Sequence, residues 1–287
     1  MIIDSHAHYS HRLYQGEFPC LALGRDDFVL TRVDRAGLVA AMRGSNIGLA
    51  IEPATGLDRI PDQLALAAAH PDFFRLAFGL HPKKCAETPW EDREKLRSLV
   101  MEHDIVAIGE TGLDYSVLPE ELDKECQKMW FVYQIELAHE KGLPLILHIR
   151  DAHADALQIL RQYRHLLHGG VAHCFGGDYE TAMAYIELGF AIGIGGRVLN
   201  PEETALRSAV ARVPLSALLV ETDAPYIRPD IRHLPVSGKE RKKARNTSLI
   251  LPTVIREIAR LRDTTDERIE EATCRNALEI FRLDIHT

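Results

Sequence analysis

The sequence contains no apolar run near the roughly 18 residues that a membrane helix needs, so no helical span is expected. No N-terminal stretch joins positive charge, an apolar segment and a cleavage site. The chain is therefore expected to begin inside its first strand and to work in the cytoplasm. Cysteine is sparse: Cys20, Cys85, Cys126, Cys174 and Cys274 are an odd five, with no C-x-x-C pair. That speaks against a disulfide framework and against a thiolate zinc site, and leaves five thiols in a reducing compartment. Positive charge is also short. Thirty-four Lys and Arg face 42 Asp and Glu, for a net charge of −8. A protein that wraps duplex DNA non-specifically is usually basic, so any phosphate binding here has to be local. Low-complexity tracts, Gly/Ser linkers and internal repeats are lacking too, and no G-x-G-x-x-G follows the first strand, which weakens a dinucleotide-binding reading.

What is present is an alternation. Eight short apolar runs recur: "MIID", "NIGLAIE" (46–52), "FFRLAFGL" (73–80), "DIVAIGE" (104–110), "LPLILH" (143–148), "GGVAHC" (169–174), "GFAIGIG" (189–195) and "SALLVETD" (216–223). Most are continuous and aliphatic, as buried parallel strands are. Between them lie helical patterns such as "PDQLALAAAH", "WEDREKLRSLVMEH", "KECQKMWFVYQIELAHEKG" and "DYETAMAYIELG", and two more close the chain. Eight βα units over 287 residues predict an α/β fold: one domain over 1–287, a closed (β/α)8 barrel of parallel strands with its site at the C-terminal face. Residues 10–33 and 224–247 interrupt the short-loop pattern. Both connections fall on the functional face of such a barrel, although an ordinary surface insertion fits the first equally well.

Metal-capable side chains gather at the strand ends. His6 and His8 follow the first strand, Glu110 ends the fourth, His148 the fifth, His173 the sixth and Asp223 the eighth. Each alone has a bland explanation, as an exposed polar residue, a structural histidine or a helix cap. In a barrel all of them converge on one mouth. Four imidazoles and two carboxylates so placed call for one or two divalent cations. Asp114 in "GETGLDY" fits a turn cap and receives no role.

The series "DSHAH", "GLHP", "GETGLDY", "LHIRDA", "HCFGG" and "ETDAPY", running on through "RN" at 245–246 to "RNALEIF", resembles the TatD family of metal-dependent deoxyribonucleases, within the amidohydrolase-like barrels. The resemblance spans nearly the whole chain. It implies phosphodiester hydrolysis, commonly 3′-to-5′ exonuclease action on DNA, at a one- or two-metal site. It implies His6, His8 and Asp223 on one ion, His148 and His173 on the other, and Glu110 as the bridging carboxylate. His81 resembles a family histidine near the substrate; fixing the turn before Pro82 explains it equally well. Two departures stand out. The first loop is longer than is typical, and the family's "RNEP" reads "RNTS" at 245–248, which puts that local contact in doubt.

The mechanism expected is attack by a hydroxide held between two ions about 3.5–4 Å apart. Asp223 and Glu110 are the catalytic candidates, with Asp223 both ligand and base. His81, Arg228 and "KERKKAR" (239–245), including Arg245, are candidates for gripping phosphates, although a solvated basic loop also fits that segment. Four imidazoles favour Zn²⁺, Mn²⁺, Fe²⁺ or Ni²⁺ over Mg²⁺, whereas the resemblance implies activity with Mg²⁺ or Mn²⁺. The expected partner is single-stranded DNA or another phosphodiester, with no membrane contact and a monomeric chain. Two competitors remain open: a hydrolase of lactones, amides or small phosphoesters on the same barrel, and a non-catalytic protein on an enzyme scaffold.

Overall fold

The computed structural model describes residues 1–25, 27–116 and 121–284. Each of the eight apolar runs forms a strand of one parallel sheet: β1 (Ile2–Asp4), β4 (Ile47–Pro53), β5 (Phe74–Phe78), β6 (Ala107–Asp114), β7 (Leu145–Arg150), β8 (Gly170–Ala172), β9 (Phe190–Ile194) and β10 (Leu218–Val220). Neighbours in space follow chain order, the pattern of right-handed βα repeats. The sheet closes on itself just beyond the first and last strands. Ser5 N–H donates to the Val220 carbonyl at 3.0 Å, Asp223 N–H to that of His6 at 2.9 Å and His8 N–H to that of Ala224 at 2.7 Å.

Inside the barrel, Ile3, Leu49, Ile51, Ile146, Val171 and Leu219 interlock with the smaller Ala77, Ala107 and Ala191. The C-terminal helix α10 (Asp266–Phe281) seals the lower end with Ala277 and Phe281. An apolar plug below leaves the polar strand ends only the upper mouth.

The outer ring comprises α1 (Arg35–Gly44), α2 (Ile60–Ala69), α3 (Arg93–Glu102), α4 (Glu121–Lys141), α5 (His153–Gln162), α6 (Tyr179–Ile186), α7 (Thr204–Arg212) and α9 (Leu251–Leu261). Local chemistry starts them. The Asp34 carboxylate accepts from Gly37 N–H at 2.8 Å, and Asp178 from Thr181 N–H at 2.9 Å. On α9, Leu251, Val254, Ile255 and Ile258 form one buried stripe, and each such side chain contributes about 1.5–3 kcal/mol.

The two long connections are not plain loops. The first carries an antiparallel hairpin, β2 (Phe18–Leu23) and β3 (Phe28–Val33). The second carries the short α8 (Gly238–Lys243), opened by a capping box between Ser237 and Glu240. They are stitched together. Leu21 N–H donates to the Arg245 carbonyl at 3.0 Å and Arg245 N–H to that of Pro19 at 2.8 Å. The Thr247 hydroxyl donates to the Leu21 carbonyl at 2.8 Å, and that of Tyr14 to the Asn246 carbonyl at 2.6 Å. The Thr–Ser sequence at 247–248 thus serves two elements: Thr247 holds β2 of the hairpin, and the Ser248 hydroxyl reaches Asp4 of β1 at 2.6 Å.

Candidate metal centre

His6 and His8 leave β1 pointing into the mouth, their Nε2 atoms 3.2 Å apart. Opposite them, His148 Nδ1 and His173 Nε2 are 3.1 Å apart. Glu110 stands between the pairs. Its Oε1 lies 3.1 Å from His6 Nε2, 3.0 Å from His173 Nε2 and 3.7 Å from His148 Nδ1. Its Oε2 lies 3.9 Å from His8 Nε2. Asp223 Oδ1 completes the first group, 3.4 Å from His8 and 3.7 Å from His6. All six sequence candidates therefore meet in one volume. Two of them do not end their strands, however. β6 runs on through Asp114, with a register shift between Ile108 and Thr111, and β7 runs on through Arg150.

The donors fit a divalent ion. Ligand atoms about 2.1 Å from an ion, at tetrahedral or octahedral angles, lie roughly 3.0–3.4 Å from one another, which is the spacing of the two imidazole pairs. The tautomers agree. His8 Nδ1 faces the Pro53 carbonyl at 3.2 Å, which only accepts, so Nδ1 carries the proton and Nε2 turns a lone pair inward. His148 Nε2 faces Asp114 Oδ2 at 3.0 Å, leaving Nδ1 as the inward lone pair. His8 Nε2 and His148 Nδ1 thus present lone pairs to the centre, as ligand nitrogens do.

Both carboxyls are held in the ionised form that a metal ligand needs. Burial opposes charge on Glu110, but the imidazoles of His6, His173 and His81 outweigh it and hold the carboxyl well below its usual range. Burial likewise opposes ionisation of Asp223, and His8 and His6 reverse it.

His81 has a divided task. Its Nδ1 accepts from Lys83 N–H at 3.0 Å, capping the 3₁₀ turn that begins at Pro82. Burial, partly offset by Glu110, pushes the imidazole pKa down to about 3. The neutral ring so fixed carries its proton on Nε2, which lies 4.0 Å from Glu110 Oε2 in the cavity. His81 thus fixes the turn and also presents a hydrogen-bond donor to the cavity.

The surrounding cavity measures about 930 Å³, and Lys83, Lys84, Arg150 and Arg197 line it. Of these four only Arg150, within "LHIRDA", falls in a motif the sequence singled out. Arg197 is aimed by Glu203, which its Nη2 meets at 2.9 Å, and packs so tightly over Gly176 that a Cβ there would collide with it. The two arginines singled out in the sequence are elsewhere. The Arg228 guanidinium donates to the carbonyls of Arg241 and Ala244 at the end of α8, and Arg245 Nε reaches the Leu13 carbonyl at 3.5 Å. Neither lines the cavity. Asp114 is the other omission: besides accepting from Ser116 N–H at 3.0 Å as a turn residue, it holds His148.

Residues 3–282 match the model of the TatD related DNase family. This chain belongs to that family. It is a TatD-type metal-dependent hydrolase. It is 39% identical over 210 residues to the uncharacterized metal-dependent hydrolase YcfH of Escherichia coli K12, covering 72% of this chain and 73% of the relative. It is 36% identical over 255 residues to the 3′-5′ ssDNA/RNA exonuclease TatD of Erwinia billingiae, covering 87% and 94%. The crystal structure of the TatD homologue YjjV from Escherichia coli K12 superposes with a TM-score of 0.81 at 26% identity, over 99% of this chain and 98% of that one. The TatD-type barrel expected from the sequence is thus the fold observed. No helix among the described residues is long and apolar enough to cross a membrane.

Proposed function

We propose that this chain removes nucleotides from the 3′ end of single-stranded DNA or RNA by hydrolysing phosphodiester bonds. The observation that carries the reading is the pairing of four inward imidazoles around one carboxylate, in a cavity walled by four cationic side chains. The likeness to the Erwinia billingiae exonuclease supports this substrate class.

His6, His8 and Asp223 would hold one ion and His148 and His173 a second, with Glu110 shared. Such ions supply an acidified water and neutralise charge on the phosphoryl oxygens. The donor set suits Zn²⁺, Mn²⁺, Fe²⁺ or Ni²⁺ as the resident ion, with Mg²⁺ retained for turnover. Asp223, at the rim of the group, takes the proton of the attacking water and returns it to the leaving oxygen. His81 donates its Nε2–H to a non-bridging phosphate oxygen. Lys83, Lys84, Arg150 and Arg197 draw in the flanking phosphates. Residues 1–287 act as one barrel domain, as a monomer in the cytoplasm.

The test is digestion of 3′- and 5′-labelled single strands by metal-stripped protein refilled with Mg²⁺, Mn²⁺ or Zn²⁺, with Glu110→Ala in parallel. Stepwise loss from the 3′ end, present only with metal and absent in the variant, is expected. Equal digestion by both proteins, with metal confirmed bound in the wild type, would remove nucleic acid as the substrate and leave lactones, amides and small phosphoesters.

A further inference from the structure

Two adjacent apolar side chains at the cavity mouth are exposed: Tyr226, 46% accessible, and Ile227, 39%. Leu23, Val29 and Met129 are about as exposed, but among the exposed large apolar side chains of the described residues only Tyr226 and Ile227 line the cavity. Ile227 also has φ +45°, in the left-handed region that β-branched residues avoid and that glycine or asparagine occupies easily.

The turn that presents them is held from below. Tyr226 N–H donates to the Asp223 carbonyl at 2.8 Å. The buried Asn246 amide donates to the carbonyls of Thr222 at 2.9 Å, Tyr226 at 2.8 Å and Ile227 at 3.4 Å. Gly196 packs against the same turn, and a Cβ there would lie 3.0 Å from the Ile227 carbonyl. The Tyr226 ring is 6.1 Å from that of His8, one of the inward imidazoles, and 5.9 Å from that of His11.

We propose that Tyr226 and Ile227 form a rigid ledge on which the base next to the scissile phosphate stacks, and that Asn246 is its positioning residue. This inference rests on the nuclease reading and adds what grips the base. Every nucleobase offers a π-face, so such a ledge would be tolerant of sequence. It requires a base free to leave its helix, which makes it a selector for single strands.

The test pairs loss of the ring with loss of the base. Binding of metal-loaded protein to a short fluorescent single strand is measured by anisotropy, with phosphorothioate linkages to slow cleavage and an abasic site moved stepwise from the 3′ end. At one position near that end the abasic site should weaken wild-type binding about five- to hundred-fold. Tyr226→Ala should bind the intact strand as weakly as wild type binds the abasic one and should not respond to the abasic site. Tyr226→Phe and Tyr226→Trp should restore the wild-type response. Equal abasic penalties in wild type and Tyr226→Ala at every position would overturn the ledge while leaving the nuclease reading intact. A wild-type protein that neither binds nor cleaves any single strand would overturn both.

Discussion

His148 Nε2 lies 3.0 Å from Asp114 Oδ2, and Lys83 Nζ lies 3.2 Å from the same oxygen. The carboxylate fixes which imidazole nitrogen bears the proton and turns the other toward Glu110 and His173. Asp114→Asn keeps the shape but not the charge. Metal affinity should fall about 10–100-fold, measured by competition with a chromogenic chelator. Unchanged affinity would mean that the Asp114 contact does nothing for the metal.

Metal removal should destabilise the protein. An ion at a hundred times its Kd contributes about 2.7 kcal/mol, or roughly 4–5 °C in melting temperature for a chain of this size. Calorimetry with and without a chelator measures it. In Glu110→Ala the metal-dependent shift should largely vanish, because the carboxylate shared by both imidazole pairs is gone.

His81 predicts a pH dependence of stability. Burial, the dominant cause, pushes its folded-state pKa down to about 3 from an ordinary 6.5. Below pH 6.5 the unfolded chain binds a proton that the folded protein refuses. Stability therefore falls as pH drops from 6.5 toward 3, by up to about 1.4 kcal/mol per unit from this group. His81→Gln should flatten the slope of urea-unfolding free energy between pH 5 and 7. Parallel slopes in the two proteins would refute the assignment.

Ser248 stands where the family has proline. Its N–H donates to the Tyr9 hydroxyl at 2.7 Å and its own hydroxyl to Asp4 Oδ2 at 2.6 Å. Burial raises the Asp4 pKa to about 7, with the Ser248 and Thr222 hydroxyls pulling it back. Ser248→Pro would leave the Tyr9 hydroxyl without a partner inside the barrel wall, at about 1–3 kcal/mol, while Asp4 Oδ2 keeps the Thr222 hydroxyl at 2.6 Å. Urea unfolding should show a loss of roughly 1–3 kcal/mol. A variant as stable as wild type would mean that the hydrogen-bond network contributes nothing.

Local pattern by itself determined the barrel and the six inward ligand candidates. Continuous aliphatic runs, helical periodicity and the polar residue at or near each run's end are short-range signals, and closing eight strands brings those ends together whatever the loops do. Tertiary structure alone decided the rest, because those outcomes depend on partners far away in the chain. Thr247 meets Leu21 across 226 residues and Ser248 meets Asp4 across 244, so the hairpin within 10–33 and the fit of "RNTS" were invisible in either segment alone. Arg228 and Arg245 have the right charge, but backbone carbonyls take up their guanidiniums, while Arg197 and Lys83, unremarkable in sequence, reach the cavity. Side-chain direction is set by what packs around the residue, and a linear sequence does not record it.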